Sequence, residues 1–408
     1  MKRSVTAMPS KRRKVEAEAE PTPEYDVRDG YRYVKPYVYK FKTHAKQRWF
    51  DRTLMDIFTS EFGAFSPDYY TMAIQSGRIT LNGALTTPEA RIKNGDLICH
   101  MTHRHEPPVI GEDISVVHET DDLVVVSKPS SVPTHPCGAY RFNSLHYIVL
   151  AARPDLKHLH IVHRLDRLTS GVVILAKTPA KARELSQCIA DRTASKAYLA
   201  RVRGAFPADL TPEWLAATQA TAATRSSLAK LSLDSPTQLR IQCPLICRSH
   251  KDSVWGWADA GEDGKEAETV VELRHAGTAT SVLFVKPVTG RTHQIRLHLQ
   301  LIGLPIANDP CYGGVLHYGR KAPTSPPVAR APETASLDPR RDGESDDSFL
   351  QRTCDRCQNP RDTTDHHCAC IWLHALEYKL AGDIFHVPPP TWAAADYVVV
   401  ETTSSSAL

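Results

Sequence analysis

The 408-residue chain has no hydrophobic run long enough to cross a membrane. Its apolar stretches, such as residues 171–176, fall far short of the ~20 residues that a transmembrane helix needs, and we interpret them as buried strands. No segment resembles the apolar core of a secretory signal, because the sequence is polar from Met1 to Asp29. We therefore expect a protein without a membrane partner, and composition alone predicts an ordinary globular chain.

Acidic residues are few at the start of the chain, where residues 1–50 hold 13 Lys and Arg against 6 Asp and Glu. A basic arm suits a polyanionic partner, because each neutralised phosphate releases a counterion. A solvated tail explains the same charge equally well. The run Pro9-Ser-Lys-Arg-Arg-Lys-Val15 has the form of a nuclear import signal. Since Glu-rich sequence follows it, we favour a nuclear or cytoplasmic location over a mitochondrial transit peptide.

Ten cysteines without a secretory signal predict reduced thiols instead of a disulfide framework. Four of them, Cys354, Cys357, Cys368 and Cys370, lie within 17 positions. Four thiolates can hold a tetrahedral zinc ion, with His366 or His367 as a substitute for Cys370. The sequence thus predicts a structural zinc site here, and free thiols in a loop are the alternative.

Composition divides the chain into three parts. Residues 1–29 are predicted to be a disordered tail. Residues 30–105 are expected to form a lead-in strand and a small helix–helix–hairpin domain, because helical spacing gives way to strands around Asn82-Gly83. Residues 110–400 alternate strands and helices, which predicts an α+β domain, with surface insertions at 208–267 and 317–370.

One motif combines a carboxylate with a buried strand. In His163-Arg-Leu-Asp-Arg-Leu-Thr-Ser-Gly171, Asp166 lies in a turn between two arginines. Such a carboxylate should stay ionised, as a nucleophile or a base requires. A salt-bridge cluster without a catalytic role is the competing interpretation of this motif alone.

Two further motifs decide between these interpretations. Lys196-Ala-Tyr-Leu-Ala-Arg-Val-Arg-Gly204 follows the first, and Val285-Lys-Pro-Val-Thr-Gly-Arg-Thr-His-Gln-Ile-Arg-Leu-His298 comes about 120 residues after it. Together and in this order, they resemble the signatures of the RluA-type pseudouridine synthases over residues 110–315 and more loosely over 371–400. The stretch Ser76-Gly-Arg-Ile-Thr-Leu-Asn-Gly83 resembles the small S4-type RNA-binding domain.

The resemblance implies roles for four residues. Asp166 would be the catalytic carboxylate, Arg291 the arginine that pairs with it, and Tyr198 the aromatic residue against the target base. Arg164 would enter the space left by the flipped uridine, where a guanidinium can replace the missing stacking. The implied fold is a mixed, largely antiparallel sheet core preceded by the S4-like domain.

The implied reaction converts uridine to pseudouridine within RNA and needs no metal or cofactor. Asp166 would attack the sugar or base, or would remove a sugar proton to give a glycal. The aromatic and basic residues from Tyr33 to Phe41 resemble relatives that act on transfer RNA, which makes tRNA the expected substrate. We expect a monomer without an obligate protein partner. A non-catalytic RNA-binding protein with a vestigial site is the alternative function, and the retained Asp166, Tyr198 and Arg291 disfavour it.

Overall fold

The structure is a computed structural model. It describes residues 22–62, 65–249, 254–277, 279–313, 340–360 and 370–397. Among these residues, no helix combines the length and apolar character that crossing a bilayer requires. The basic run at residues 11–14 and the predicted import signal lie outside the described residues.

The N-terminal part of the described chain consists of two small sheets and two helices. Its elements are β1 (Tyr25–Arg28), β2 (Tyr31–Val34), β3 (Tyr37–His44), α1 (Leu54–Ile57), α2 (Pro67–Gln75), β4 (Ile79–Leu81), β5 (Leu97–Arg104) and β6 (Val109–Ile110). One sheet has the order β1-β2-β6 and the other the order β3-β5-β4. A π-helical turn, Phe58–Phe62, continues α1.

Local sequence explains the start and end of α2. Ser66 caps the helix by accepting a hydrogen bond from the Tyr69 amide, and Pro67 occupies the first turn, where its missing N–H costs nothing. Gly77 follows the helix in the left-handed conformation, with a φ of 73°. The helix–helix order predicted for this region is thus observed, and the core between the helices and the β3-β5-β4 sheet includes buried Trp49 and Tyr70.

The rest of the described chain forms one large sheet, a separate two-stranded sheet made of residues 245–249 and 254–257, and six α-helices. Its elements are β7 (Ser115–Glu119), β8 (Leu123–Lys128), α3 (Leu145–Ala152), β9 (His160–Ile161), β10 (Ser170–Ala176), α4 (Pro179–Ala190), β11 (Ser195–Arg203), α5 (Pro212–Ala223), β12 (Lys230–Ser235), β13 (Gln238–Gln242), β14 (Leu245–Ser249), β15 (Val254–Trp257), β16 (Glu268–His275), β17 (Thr280–Pro287), α6 (Gln294–Leu301), α7 (Asp346–Arg352), α8 (Asp355–Gln358), β18 (Leu373–Leu380) and β19 (Asp383–His386).

Eleven strands of the described chain make up this sheet, in the order β12-β13-β16-β17-β11-β18-β10-β8-β7, with β19 on β18 and β9 on β10. Strands β10 and β18 run parallel, and the other pairs are antiparallel, so the predicted mixed sheet is confirmed. At their junction Gly171 has a φ of 122°, and a Cβ there would overlap the Ala375 backbone. Strand β18 therefore separates the strand after Asp166 from the strand that carries Tyr198.

Three predicted boundaries differ from the structure. Residues Tyr25–Arg28 form a strand paired with β2, although they belong to the predicted disordered tail. Strands β12 and β13, expected within a surface insertion, extend the large sheet because their alternating apolar residues pack into its core. Within the predicted long loop at 317–370, residues 346–358 form α7 and α8, where Phe349 and Leu350 are buried.

Candidate active site

Asp166 lies in a backbone turn just before the first residue of β10. The Thr169 amide donates to the Asp166 carbonyl at 3.1 Å, which closes the turn. One residue earlier, Leu165 is anchored by Thr134, whose hydroxyl oxygen accepts from the Leu165 amide and donates to the Leu165 carbonyl, both at 3.1 Å. Leu165 is buried, whereas 24% of the Asp166 side chain remains exposed. The turn therefore holds the carboxylate at the surface of the core without enclosing it.

His163, the first residue of the motif that contains Asp166, contacts β10 and β18. The Ile174 amide donates to Nε2 of His163 at 3.0 Å, and the imidazole packs against the Tyr378 ring, with 4.5 Å between centroids. Burial lowers the pKa of His163 to about 3, with a smaller contribution from Lys196. A neutral ring is also what an Nε2 acceptor requires, so His163 has a structural role at neutral pH.

Arg296 connects Asp166 to a second carboxylate. Its Nη1 lies 3.5 Å from Oδ2 of Asp166, while Nε and Nη2 donate to the Asp309 carboxylate at 2.6 and 2.9 Å. Arg296 is 3% exposed and Asp309 fully buried. Burial opposes the charge of Arg296, but the hydrogen bonds that it donates to Asp309 outweigh this effect and raise the pKa of Arg296. This bidentate ion pair holds the Arg296 guanidinium in place beside Asp166.

His293 approaches Asp166 from the start of α6. Its Nε2 lies 3.7 Å from Oδ2 of Asp166, and its Nδ1 is 2.7 Å from the Tyr312 hydroxyl. His293 has a φ of 57°, a conformation uncommon for a residue other than glycine. Burial lowers the pKa of His293, although the nearby Asp166 charge acts in the opposite direction. The ring therefore faces the carboxylate in its neutral form.

The Asp166 carboxylate faces an open cleft between β11, α6 and the turn before β10. Tyr198 lines this cleft from β11, and so does its neighbour Lys196. Burial raises the pKa of Tyr198 and lowers the pKa of Lys196. The cleft thus offers an aromatic ring, a carboxylate and an ammonium group to a ligand. Its remaining lining residues are Arg164, Leu165, Thr169, Pro287, Thr289, Gly290, Arg291, His293, Gln294, Ile295, Arg296 and Leu373.

A buried lysine lies beneath the Asp166 turn. Nζ of Lys128 donates to the carbonyls of Pro129, Val132 and Arg167 at 2.9, 2.7 and 3.3 Å. Burial lowers the pKa of Lys128 to about 7, against the opposing charge of Asp166. The carbonyl of Arg167 belongs to the turn itself, so this lysine ties the turn to the loop after β8.

The four residues expected at the site all line the cleft, but one role differs from the prediction. Asp166 and Tyr198 both line it, and Arg164 lines it with an exposed side chain. The pairing expected between Arg291 and Asp166 is instead made by Arg296, because Nε of Arg291 donates to the Glu266 carbonyl at 2.9 Å.

The motif containing both arginines folds around Gln294. Its Oε1 accepts from the Thr289 hydroxyl at 2.6 Å and from the Arg291 amide at 3.0 Å. Its Nε2 donates to the Glu268 carbonyl at 2.8 Å. This network directs Arg291 toward the β15–β16 connection, and α6 then turns Arg296 inward. Arg291 and Arg296 lie five positions apart in one motif, and the sequence alone does not indicate which of them pairs with Asp166.

The predicted cysteine cluster is separated in the structure. Cys370 packs against the core of the large sheet, and Cys368 lies outside the described residues. Cys354 and Cys357 lie instead beside His103 and His105 of the β3-β5-β4 sheet. The four-cysteine set is therefore not brought together among the described residues. The pattern His103-x-His105 at the end of a strand, which places both rings on one face, is the signal that sequence reasoning missed.

The chain is similar in sequence to known proteins. Residues 122–301 match the family model described as RNA pseudouridylate synthase. The chain is 35% identical over 386 residues to "RNA pseudouridine synthase 7" of Arabidopsis thaliana, covering 91% of this chain and 88% of that protein. It is 34% identical to "tRNA pseudouridine(32) synthase, mitochondrial" of Saccharomyces cerevisiae, over 88% of this chain and 74% of the relative. A second yeast relative, "tRNA pseudouridine(31) synthase", is 30% identical over 90% of this chain and 96% of its own length.

Proposed function

Because this chain belongs to the RNA pseudouridine synthase family, whose members convert uridine to pseudouridine, we propose that Asp166 is its catalytic residue and that tRNA is its substrate. The observation that carries the assignment is the Asp166–Arg296 contact of 3.5 Å at the wall of an open cleft. The guanidinium of Arg296 can orient this carboxylate, and the 24% exposure of the Asp166 side chain leaves it accessible to a nucleotide.

The reaction rearranges bonds within one nucleotide. The N1–C1′ bond breaks, the uracil turns in the cleft, and a C5–C1′ bond forms; C5 loses a proton and N1 gains one. Asp166 either attacks covalently or removes a sugar proton to give a glycal. Atoms and electrons balance in both routes without an external reagent, so we propose catalysis without a metal or cofactor. In both, Arg296 is proposed to orient the carboxylate through their 3.5 Å contact.

Reaching C1′ requires that the nucleotide leave its stack. Tyr198 offers a ring against which the extruded base can lie, and its hydroxyl stays protonated because burial raises its pKa. Arg164 is exposed at the rim of the cleft, where its guanidinium can fill the space that the base vacates. Arg291 lines the same cleft and is proposed to contact the substrate, not the carboxylate.

The names of both yeast relatives specify tRNA, at positions 31 and 32. We therefore propose that the target uridine of this chain is at position 31 or 32 of a tRNA.

The N-terminal domain at residues 30–105 is proposed to hold RNA, as its S4-like sequence suggests. Support comes from β3, where Lys40, Phe41 and Lys42 are exposed. On the neighbouring strand, the guanidinium of Arg104 lies 5.4 Å from the ring centroids of both Tyr39 and Phe41. Basic groups interleaved with exposed aromatic rings suit phosphates and unstacked bases.

We further propose that the catalytic domain spans residues 110–400 and acts as a monomer in the nucleus or cytoplasm. The basic run at 11–14 supports this location. A mitochondrial location is the alternative, favoured by the name of one yeast relative.

The test is a map of pseudouridine in tRNA from cells that contain or lack this protein, complemented with wild type or with Asp166→Asn. We expect pseudouridine at position 31 or 32 to require the wild-type chain. Purified protein should form the same pseudouridine on unmodified tRNA transcripts. Loss of pseudouridine only in other RNA classes would contradict the tRNA assignment, and complementation by Asp166→Asn would contradict the catalytic one.

A further inference from the structure

Two histidines and two cysteines from opposite ends of the chain meet outside the catalytic cleft. They are His103 and His105, at the end of β5, and Cys354 and Cys357, at the start and within α8. Their nearest ligand atoms, one from each residue, all lie within 4.8 Å of one another. Cys354 and His105 are 249 positions apart, so the folded chain alone brings them together.

The distances match the edges of a tetrahedral metal site. Sγ of Cys354 lies 3.3 Å from Nε2 of His105, and Sγ of Cys357 lies 3.3 Å from Nδ1 of His103 and 3.5 Å from Nε2 of His105. With Zn–S bonds of about 2.3 Å and Zn–N bonds of about 2.0 Å, neighbouring S and N ligands of a tetrahedral zinc ion are about 3.5 Å apart.

Local structure explains why each pair presents both ligands together. His103 and His105 are two positions apart at the end of an extended strand, so their rings lie on one face. Cys354 precedes the first turn of α8 and Cys357 lies within it, and the Cys357 amide donates to the Cys354 carbonyl at 3.1 Å. This Cys-x-x-Cys turn is a common half of structural zinc sites.

The segment that carries the cysteines is docked on the N-terminal domain by further contacts. Nη2 of Arg78 donates to the Thr353 hydroxyl at 2.6 Å, and its guanidinium lies 4.6 Å from the centre of the Phe349 ring. Thr353 and Phe349 are buried. Nη1 of Arg356 reaches the His105 carbonyl at 3.5 Å. The four ligands thus lie in the interface between this segment and the N-terminal domain, and all four are partly buried.

We propose that His103, His105, Cys354 and Cys357 bind one zinc ion, which fastens residues 340–358 to the N-terminal domain. Two thiolates and two imidazoles favour zinc over the hard cations that prefer oxygen ligands. Four protein ligands complete a tetrahedral coordination sphere and leave no position for water or substrate, so the proposed site is structural. Its position ties the proposed RNA-binding domain to a segment that follows the catalytic motifs in the chain.

The first experiment measures zinc per chain in full-length protein purified without chelator. We expect about one zinc in the wild type and less than about a tenth in His105→Asn and Cys357→Ser. Two matched controls, His44→Asn at the exposed end of β3 and Cys370→Ser, should retain about one. Absence of zinc from the wild type would overturn the proposal. So would retention of zinc in His105→Asn together with its loss in Cys370→Ser, which would restore the four-cysteine site.

A second measurement avoids variants that fail to fold. Wild-type protein is exchanged with Co²⁺, whose visible spectrum distinguishes tetrahedral from octahedral coordination and whose near-ultraviolet bands report thiolate ligation. We expect a tetrahedral spectrum with thiolate bands, which disappear on addition of one equivalent of Zn²⁺. An octahedral spectrum, or no thiolate band, would contradict the site and leave the four residues as a hydrogen-bonded cluster.

The fastening role has its own readout. Removal of zinc by a chelator should accelerate tryptic cleavage at Arg340, Arg341 and Arg356 at least tenfold, and re-addition of zinc should reverse this. Unchanged cleavage after verified zinc removal would contradict the fastening role.

Discussion

The Arg296 guanidinium lies 3.5 Å from the Asp166 carboxylate, although 130 positions separate the two residues in the chain. The contact is possible because Asp309, fully buried, holds the other two nitrogens of the guanidinium at 2.6 and 2.9 Å. The carboxylate proposed to be catalytic thus contacts an arginine that is itself held in place by a second carboxylate. This arrangement distinguishes Arg296 from Arg291, which binds a backbone carbonyl.

The first prediction compares these two arginines. Arg296→Lys retains the charge beside Asp309 but cannot donate to both carboxylates in the same geometry, so we expect turnover to fall at least about 100-fold. Arg291→Lys should lower turnover less than about tenfold. Single-turnover rates on tRNA measure both, and melting temperatures control for folding. A larger decrease in Arg291→Lys would restore the role predicted for Arg291 from the sequence.

The second prediction concerns pH. His163 has a folded pKa of about 3, below its ordinary value of 6.5. As pH falls, His163 is therefore protonated at a higher pH in the unfolded chain than in the folded protein. The free energy of unfolding should decrease as pH drops below 6.5. Between pH 6.5 and pH 5 one such group lowers the free energy of unfolding by about 2 kcal/mol.

The variant His163→Gln keeps an uncharged acceptor for the Ile174 amide and removes this titration. Its free energy of unfolding, measured by urea denaturation at both pH values, should fall by about 2 kcal/mol less than that of the wild type. Buried His298 also has a lowered pKa, about 4, and remains in both proteins, so it cancels in the comparison. Equal pH dependence of the two proteins would show that His163 is not held neutral.

A third prediction tests the basic arm. The first 14 residues carry six Lys and Arg and no acidic residue. Replacing these six with Gln should flatten the dependence of log affinity for tRNA on log salt, by about 0.7 to 0.9 for each phosphate that the arm no longer neutralises. The same replacement leaves the chain length unchanged, so excluded volume is controlled. An identical salt slope would mean that the arm is only a solvated tail.

Sequence motifs predicted that Asp166 and Tyr198 belong to one site, and both line the same cleft. Each residue lies within a contiguous motif, so it could be identified without knowledge of the tertiary fold. The contact between Arg296 and Asp166 was not predicted. The hydrogen bonds of Gln294 and the left-handed backbone of His293 determine which arginine points toward Asp166, and neither can be inferred from the motif alone. The proposed zinc ligands were also predicted only in part. The sequence prediction grouped Cys354 with Cys370 because the two residues are close in the chain. In the structure, tertiary packing places Cys354 beside His105, which is 249 positions away.

The most direct test of the central claim is turnover by Asp166→Asn on tRNA that carries tritium at C5 of uridine. Formation of the C5–C1′ bond removes the hydrogen from C5, so released tritium counts completed isomerisations. We expect no release above background from Asp166→Asn, with tRNA affinity and melting temperature close to those of the wild type, while the exposed-site control Asp191→Asn releases tritium at the wild-type rate. Tritium release by purified Asp166→Asn above background would contradict the assignment of Asp166 as the catalytic residue.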